Sequence, residues 1–218
     1  MIIAIDGPSG AGKSTIAKIL AGKLGITYLD TGAMYRAVGL KALRSGVDPT
    51  DAVAVEEMLK NTEIDVATEN GVQKVYLDGE EVSGFIREHR VSRAASDVSA
   101  VPCVRFAMVD LQRKIASKKD TVLDGRDIGT YVLPNADFKF YLTASVEERA
   151  KRRYIELIAK GENCTLEKIA KDIETRDYND SHRTLAPLKM ADDALKIDTT
   201  FMTIEQVSEK IISVIRGE

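Results

Sequence analysis

The sequence predicts a three-layer α/β fold built on a five-stranded parallel sheet, with a small antiparallel β insertion. Two observations predict the large sheet: five short apolar segments have the length of strands, and helical patterns separate them. A third observation predicts the insertion. Residues 62–84 alternate apolar and polar positions around Asn70-Gly71 and Asp78-Gly79, two pairs that are typical of tight hairpin turns. We therefore expect a parallel core and a separate meander.

The first half of the chain carries alternating strand and helix patterns before and after the meander. In order, these are a strand over residues 1–6, a helix over 13–25, a strand over 26–30, helices over 32–46 and 52–60, and helical patterning from about 91 to 119. The apolar run at the start predicts a strand buried on both faces. Gly25 is placed to end the first helix, and Asp51 is placed to cap the third.

The second half continues the alternation. Its patterns are strands over residues 120–125 and 137–144, helices over 146–161 and 166–180, a strand over 193–198 and a helix over 204–217. Ser145 with Glu148, and Thr203 with Gln206, form capping-box patterns, and Thr165 is placed to open the helix between them. These signals predict where three helices begin.

Length and charge exclude several broad classes of protein. The 218 residues suit one domain, or one core that carries an inserted subdomain. With 31 basic residues against 34 acidic ones, the net charge of -3 gives no indication of electrostatic capture of nucleic acid or of an anionic membrane. The first residues lack the pattern of a signal peptide. We expect a cytoplasmic monomer that binds neither nucleic acid nor membranes.

The most specific motif is GPSGAGKS, from Gly7 to Ser14, which matches GxxxxGK[ST] between a predicted strand and a predicted helix. Its glycines let backbone N–H groups converge on phosphate oxygens at a helix N-terminus. Lys13 can then approach the β- and γ-phosphates, and Ser14 can bind Mg²⁺. The residues expected to hold ATP are Gly7, Pro8, Ser9, Gly10, Ala11, Gly12, Lys13, Ser14 and Thr15. The loop alone does not separate a kinase from a GTPase switch or a mechanical ATPase.

A kinase for a small acceptor needs a second anion site, which predicts additional arginines. The chain lacks an NKxD-type guanine element, and arginines are present at suitable places: Arg36, Arg105, Arg126, Arg176 and Arg183, with Arg149, Arg152 and Arg153 on one predicted helix face. Arg36 and Arg126 follow predicted strands, where open parallel sheets form their ligand crevice. The three arginines on the predicted helix face also have a second interpretation, in which Arg149 is a solvated charge and Arg152 pairs with Glu156.

The stretch RDYNDSHR places two arginines seven residues apart. On a helix this spacing is about two turns, so Arg176 and Arg183 would project from one face. His182, in the same stretch, is expected to be a residue of the helix surface and not a catalytic base. The residues by themselves do not indicate what the two guanidinium groups contact.

Five motifs, which span almost the whole chain in this order, resemble those of the bacterial cytidylate kinase family: GPSGAGKST, LDTGAMYR, SRAASDVSAVPCVR, DGRDIGT and RDYNDSHRTLAPL. The resemblance implies a single P-loop nucleoside monophosphate kinase domain over residues 1–218. It further implies a core of residues 1–31, 120–145 and 190–218, a monophosphate-binding region with a β insertion over about 32–119, and a lid over about 146–165.

The same resemblance implies a reaction and a set of roles. The reaction is transfer of the γ-phosphoryl group of ATP to CMP or dCMP, with Mg²⁺ on the donor phosphates. For the base, Thr31 and Asp127 would accept from the cytosine amine, and Arg105 and Arg183 would donate to cytosine N3 and O2. The ribose would be held by Ser96, Arg176 and Asp180, and the acceptor phosphate by Arg36 and Arg126. Catalysis would involve Lys13, Arg126, Arg149 and Arg153. Arg152 would join Arg149 and Arg153 as a lid arginine.

Two alternatives stay open beside this interpretation. One is a P-loop kinase for another small acceptor, such as a different nucleoside monophosphate or shikimate. The other is a nucleotide switch that binds without transferring phosphate. The chain also departs from the family pattern at Asn179, where members often carry an arginine. That difference puts in question how much positive charge this segment brings to the phosphates.

Overall fold

A computed structural model describes residues 1–69, 71–159 and 161–218 of the chain, and the element counts below refer to those ranges. The strands are β1 (Ile2–Asp6), β2 (Thr27–Asp30), β3 (Ile64–Glu69), β4 (Val72–Leu77), β5 (Glu80–Glu81), β6 (Thr121–Gly125), β7 (Phe138–Thr143) and β8 (Leu195–Asp198). The helices are α1 (Lys13–Leu24), α2 (Thr31–Ser45), α3 (Ala52–Leu59), α4 (His89–Val98), α5 (Pro102–Ala116), α6 (Val146–Ala159), α7 (Leu166–His182) and α8 (Ile204–Arg216). A 3₁₀ turn covers Phe85–Arg87, and a π-helical turn covers Ile128–Val132.

Two sheets confirm the predicted fold class. The first is a five-stranded parallel sheet in the order β2-β6-β1-β7-β8, with Ile3 of β1 opposite Phe138 of β7. The central strands β1 and β6 are buried along most of their length, because both faces of the sheet are covered. The second sheet is the antiparallel meander β3-β4-β5.

By contacts within the chain, two compact units can be distinguished: residues Met1–Ile26 with Val122–Glu218, and residues Thr27–Thr121. We refer to them as the first unit and the second unit. In the first unit, α6 and α7 share an apolar cluster of Ala150, Leu157, Ile169 and Ile173. In the second unit, α2 packs on the meander through a cluster that contains Ala33, Ala37, Leu40, Val75 and Leu77.

Most predicted helix caps are confirmed. Asp51 accepts hydrogen bonds from Val53 N and Ala54 N at the start of α3. Thr165 accepts from Lys168 N, and Thr203 with Gln206 forms both bonds of a capping box. The box at Ser145 is half formed. Its hydroxyl accepts from Glu148 N at 3.2 Å, but its own N–H donates to Thr200 Oγ1 at 3.0 Å instead.

Of three further local expectations, two are confirmed and one falls outside the described residues. The region predicted to be helical, residues 91–119, forms the two helices α4 and α5. The break between them occurs because Pro102 cannot continue α4 and instead begins α5. The turn predicted at Asp78-Gly79 is present, with φ of 51° and 83°. The turn predicted at Asn70-Gly71 involves Asn70, which lies outside the described residues. In the described ranges, no helix has the length and apolar character that crossing a bilayer requires.

Candidate active site

The loop from Gly7 to Ser14 leaves β1 and enters α1 in the first unit. Gly7 has φ of 143°, and a Cβ there would lie 1.9 Å from the carbonyl oxygen of Leu142. Any side chain at this position would therefore collide with the backbone of β7. Gly12 is the N-cap of α1 with φ of 88°. The loop thus adopts a backbone that requires glycine and that directs the first N–H groups of α1 toward its own concavity.

Lys13 is held inside this loop. Its side chain is almost completely buried, and Nζ donates to the carbonyl oxygen of Pro8 at 2.7 Å. Burial lowers the pKa of Lys13 below its ordinary value, and the positive charge of Arg126 lowers it further. The amine therefore occupies the position in which a phosphate oxygen could replace the Pro8 carbonyl as its partner.

Ser14 Oγ donates to Asp124 Oδ2 at 2.8 Å, at the end of β6. A hydroxyl and a carboxylate side by side are hard oxygen ligands, which suit Mg²⁺. Within the described part of the chain, no cluster of three or more His, Cys, Asp or Glu side chains is placed to hold a metal. This pair therefore fits an ion that takes few protein ligands and completes its shell with phosphate oxygens and water. The sequence analysis did not select Asp124; an acidic residue that ends a buried strand was the available signal.

Asp6, at the end of β1, is a second residue that the sequence analysis missed. Its two carboxylate oxygens accept from Ile128 N at 2.8 Å and from Gly129 N at 2.7 Å. Burial raises the pKa of Asp6 to about 6, even though both hydrogen bonds favour the ionised form. The carboxylate therefore fixes the start of the turn that follows Arg126 and Asp127.

Four predicted substrate residues, one of which was also predicted to be catalytic, meet in an arginine–carboxylate network. Arg126 Nε donates to Asp180 Oδ2 at 2.8 Å, and Arg183 NH2 donates to Asp127 Oδ1 at 3.1 Å. A further contact of 3.8 Å joins Arg183 to Asp180. Burial alone would raise the pKa of Asp180, but the charges of Arg126, Arg176 and Arg183 outweigh it and lower that pKa. The network therefore keeps Asp180 ionised.

Arg183 does not share a helix face with Arg176, which corrects the expectation from their spacing. Helix α7 ends at His182, and Arg183 is its extended C-cap, with ψ of 143°. The chain turns back here because Leu188 N donates to the carbonyl oxygen of Asp180 at 2.7 Å. Arg183 Nε also donates to the carbonyl of Ala186, at 2.7 Å. His182 is an exposed helix residue, as predicted, and its ring stacks on that of Tyr178 with centroids 4.0 Å apart.

The three arginines of α6 have different surroundings. Arg149 is buried and donates to Ala144 O at 2.9 Å and to Ser9 O at 3.0 Å, while its guanidinium contacts Asp177 at 2.7 Å. The alternative of a solvated charge is therefore wrong for Arg149, because the residue ties the phosphate loop to α7.

Arg152 and Arg153 make contacts of a different kind. Arg152 pairs with Glu148 at 3.0 Å and donates to Thr199 O at 2.7 Å, so its predicted pairing with Glu156 is also wrong. Glu156 instead contacts Arg153, at 2.8 Å. Arg152 is directed to Glu148, one turn earlier, because Thr199 holds its other guanidinium nitrogens.

The second unit contains the other predicted substrate residues. Thr31 is buried at the start of α2, and Ser96 is partly buried in α4. Arg36 NH2 donates to Asp30 Oδ2 at 2.8 Å. Arg105 is only 1% exposed; its guanidinium lies 5.6 Å from the ring centre of Tyr35 and donates to Ser99 O at 3.3 Å. Both arginines are thus fixed by neighbours within their own unit.

Comparison with known proteins identifies close relatives. The family model described as cytidylate kinase matches residues 3–217. A cytidylate kinase of Clostridioides difficile strain 630 is 53% identical over 213 residues, which cover 98% of this chain and 97% of that protein. A cytidylate kinase of Bacillus licheniformis is 51% identical over 216 residues, or 99% of this chain and 96% of that protein.

Solved structures show the same fold at low identity. A gluconokinase from Sinorhizobium meliloti 1021 matches with a TM-score of 0.51 and 13% identity, covering 98% of this chain and 91% of that one. A protein from Eubacterium ventriosum matches with a TM-score of 0.53 and 14% identity, covering 100% of this chain and 99% of that one. Likenesses at this identity concern the fold alone.

Proposed function

Because this chain belongs to the cytidylate kinase family, we propose that it transfers the γ-phosphoryl group of ATP to the 5′-phosphate of CMP or dCMP. The observation that carries the proposal is the combination, in one unit, of a buried lysine in a phosphate-binding loop and a network of arginines and carboxylates. The lysine and its loop suit a nucleoside triphosphate, and the network of arginines and carboxylates suits a polar nucleoside. Bound Mg²⁺ would neutralise charge on the donor phosphates.

The donor side is assigned to residues 7–15. Their backbone N–H groups would bind the phosphates, and Lys13 Nζ would exchange the Pro8 carbonyl for a phosphate oxygen. Ser14 and Asp124 would hold Mg²⁺. This assignment is supported by the glycine-dependent backbone at Gly7 and by the 2.8 Å contact between Ser14 and Asp124. No covalent enzyme intermediate is required, because positioning and charge neutralisation are sufficient for phosphoryl transfer.

The acceptor side is assigned to the residues that the family resemblance implies. Cytosine presents an amine donor next to acceptors at N3 and O2, so Asp127 would accept from the amine and Arg183 would donate to the ring. Thr31 and Arg105 would complete the base site. A mismatched base such as uracil would leave buried groups unpaired, at a cost of about 1–3 kcal/mol. The ribose is assigned to Ser96, Arg176 and Asp180, and the acceptor phosphate to Arg36 and Arg126.

The segment from about 146 to 165 is proposed as a lid that excludes water from the transferring phosphoryl group. Arg149 and Arg153 are its proposed catalytic arginines. The contact of Arg149 with Ser9 O supports a role for Arg149 beside the donor phosphates. Arg153 pairs with Glu156 on the helix surface, so its proposed role rests on the family resemblance.

A coupled assay of ADP release tests the function directly. The purified chain, ATP and Mg²⁺ are combined in turn with CMP, dCMP, UMP, AMP and shikimate. ADP release should depend on the acceptor and should be fastest with CMP or dCMP. Equal rates with UMP and AMP would contradict the base assignment, and activity on shikimate alone would favour the other kinase. Tight ATP binding without acceptor-dependent ADP would favour a switch.

The chain is proposed to act as a cytoplasmic monomer on small nucleotides, without nucleic-acid or membrane partners. The nearly balanced charge supports this, since nothing in the composition favours a polyanionic partner. Light scattering of the purified chain, with and without CMP, measures whether one copy is the active form.

A further inference from the structure

Gln73 of β4 connects the meander of the second unit to the end of β2. Asp30 N donates to Gln73 Oε1 at 2.6 Å, and Gln73 Nε2 donates to Asp30 O at 3.2 Å. The carboxamide therefore pairs with both main-chain groups of one residue, as a neighbouring strand would. Because β2 is the edge strand of its sheet, these groups would otherwise have no strand partner.

Asp30 connects this contact to a proposed phosphate ligand. Its Oδ1 accepts from Ala33 N at 2.9 Å and caps α2, while its Oδ2 accepts from Arg36 NH2 at 2.8 Å. The Nε of Arg36 is buried and has no hydrogen-bond partner among the described residues. The Asp30 carboxylate thus caps α2 and also positions the Arg36 guanidinium, whose Nε could donate to a ligand.

The local backbone leaves little freedom around this guanidinium. A Cβ at Gly32 would lie 3.1 Å from Arg36 NH1 and 3.2 Å from Asp30 Oδ1. Arg36 therefore lies tightly over the first turn of α2, and it can move only as far as Asp30 allows. A displacement of Asp30 would be transmitted to Arg36 through their 2.8 Å contact.

We propose that Gln73 is a positioning residue for the acceptor phosphate, acting through Asp30 on Arg36. This inference rests on the proposed function and deepens it, because it gives the β insertion a part in acceptor recognition. Gln73 itself does not contact the substrate. By fixing the backbone of Asp30, it keeps the Asp30 carboxylate at the helix cap and presents Arg36 to a phosphate dianion.

Kinetic constants of Gln73→Ala test the proposal against a role in stability alone. The KM for CMP should rise about five- to tenfold, the size expected for lost hydrogen bonds, while the KM for ATP and kcat stay within about twofold. Inhibition by cytidine, which carries no phosphate, should be unchanged. Lys74→Ala is the matched control: it shortens the next side chain of β4, whose ammonium pairs with Glu81 at 3.2 Å within the meander, and it should leave the KM for CMP unchanged.

A double-mutant cycle with Arg36→Ala completes the test. In that background Gln73→Ala should have no further effect on the KM for CMP, because the residue through which it acts is gone. Gln73→Met, which keeps the side-chain length, serves if the alanine variant does not fold, and the same result is expected. The proposal would be overturned if Gln73→Ala left the KM for CMP unchanged, weakened inhibition by cytidine, or had an effect that added to that of Arg36→Ala. It would also be overturned if Lys74→Ala raised the KM for CMP equally. Failure of the proposed function is distinct, because the unmodified chain would then show no CMP-dependent ADP release.

Discussion

The two units hold their proposed substrate residues in different surroundings. In the first unit, arginines are paired with carboxylates: Arg126 with Asp180 at 2.8 Å, Arg183 with Asp127 at 3.1 Å and Arg149 with Asp177 at 2.7 Å. In the second unit, Arg36 pairs with the partly exposed Asp30 at 2.8 Å, and Arg105 is almost completely buried beside the ring of Tyr35. Ion pairs respond to protonation, whereas packing does not. The network of the first unit should therefore be sensitive to pH and to charge changes, and the close packing of α2 on α4 in the second unit should be sensitive to volume changes.

The largest effect is expected for Lys13→Ala, and it should be on rate and not on stability. Loss of the phosphate-binding cation should reduce kcat for CMP-dependent ADP release by at least about a thousandfold. The fold should tolerate the change, since the ammonium is buried with its pKa lowered, so its removal relieves a desolvation cost. Urea denaturation should show an unchanged midpoint. Lys23→Ala, at the exposed end of α1, is the control and should keep full activity.

Asp180→Asn should destabilise the first unit by about 4 kcal/mol at neutral pH, because it removes the carboxylate that pairs with Arg126 at 2.8 Å inside the network. The pKa of Asp180 is lowered by folding, so its contribution is present above its ordinary value of 3.8 and is lost as pH falls through its folded pKa. Urea denaturation at pH 7 and at pH 3 should therefore show a difference from the unmodified chain that shrinks in acid.

The control for Asp180→Asn is the same chemical change at an exposed ion pair. Asp193 contacts Lys139 at 2.7 Å, but its side chain is 67% exposed. Asp193→Asn should have a much smaller effect on stability, because exposed ion pairs contribute little. Equal losses for the two variants would contradict the view that burial makes the network of the first unit critical.

Asp6→Asn should reveal a pH dependence of the opposite sign. Folding raises the pKa of Asp6 from 3.8 to about 6, so its contribution to stability is greatest below the unfolded value and is lost as pH rises through 6. The stability of the unmodified chain relative to Asp6→Asn should therefore fall by roughly 3 kcal/mol between pH 4 and pH 7. Chemical denaturation of both proteins across this range measures the difference, and a flat difference would refute it.

Gly39→Ala should give the smallest effect, a loss of stability that arises in the second unit. A Cβ at Gly39 of α2 would lie 2.7 Å from Ala95 N and 3.0 Å from Ala94 C in α4. Forcing these helices apart should cost about 2 kcal/mol at every pH tested, because no titrating group is involved. Gly22→Ala in α1 is the matched control, since nothing lies within 4 Å of its added Cβ. That variant should be neutral or slightly stabilising.

What the sequence predicted well is encoded by residues close together in the chain. The phosphate loop, the cap at Asp51 and the turn at Asp78-Gly79 each depend on a few neighbouring residues, whose conformational preferences are strong. For the same reason, the alternation of strand and helix patterns was enough to predict the fold class.

What the sequence did not predict depends on contacts between distant residues. Ser14 and Asp124 are 110 positions apart, and Arg149 and Ser9 are 140 apart. No local pattern distinguishes Arg149, which is buried against the loop, from Arg153, which is on the surface. Likewise, the bond from Leu188 N to Asp180 O turns the chain away from α7. Without that bond, the spacing of Arg176 and Arg183 is compatible with a continuous helix.

The pair of Arg183 and Asp127 has a consequence for inhibitor chemistry. Both side chains are more than nine-tenths buried, and each uses the other as a partner at 3.1 Å. Under the proposed roles, a ligand that offers only an acceptor, or only a donor, breaks this buried contact and replaces only one side of it. Such compounds should bind weakly however well their shape fits. A cytosine mimic needs an adjacent donor and acceptor at the spacing of the ion pair that it replaces.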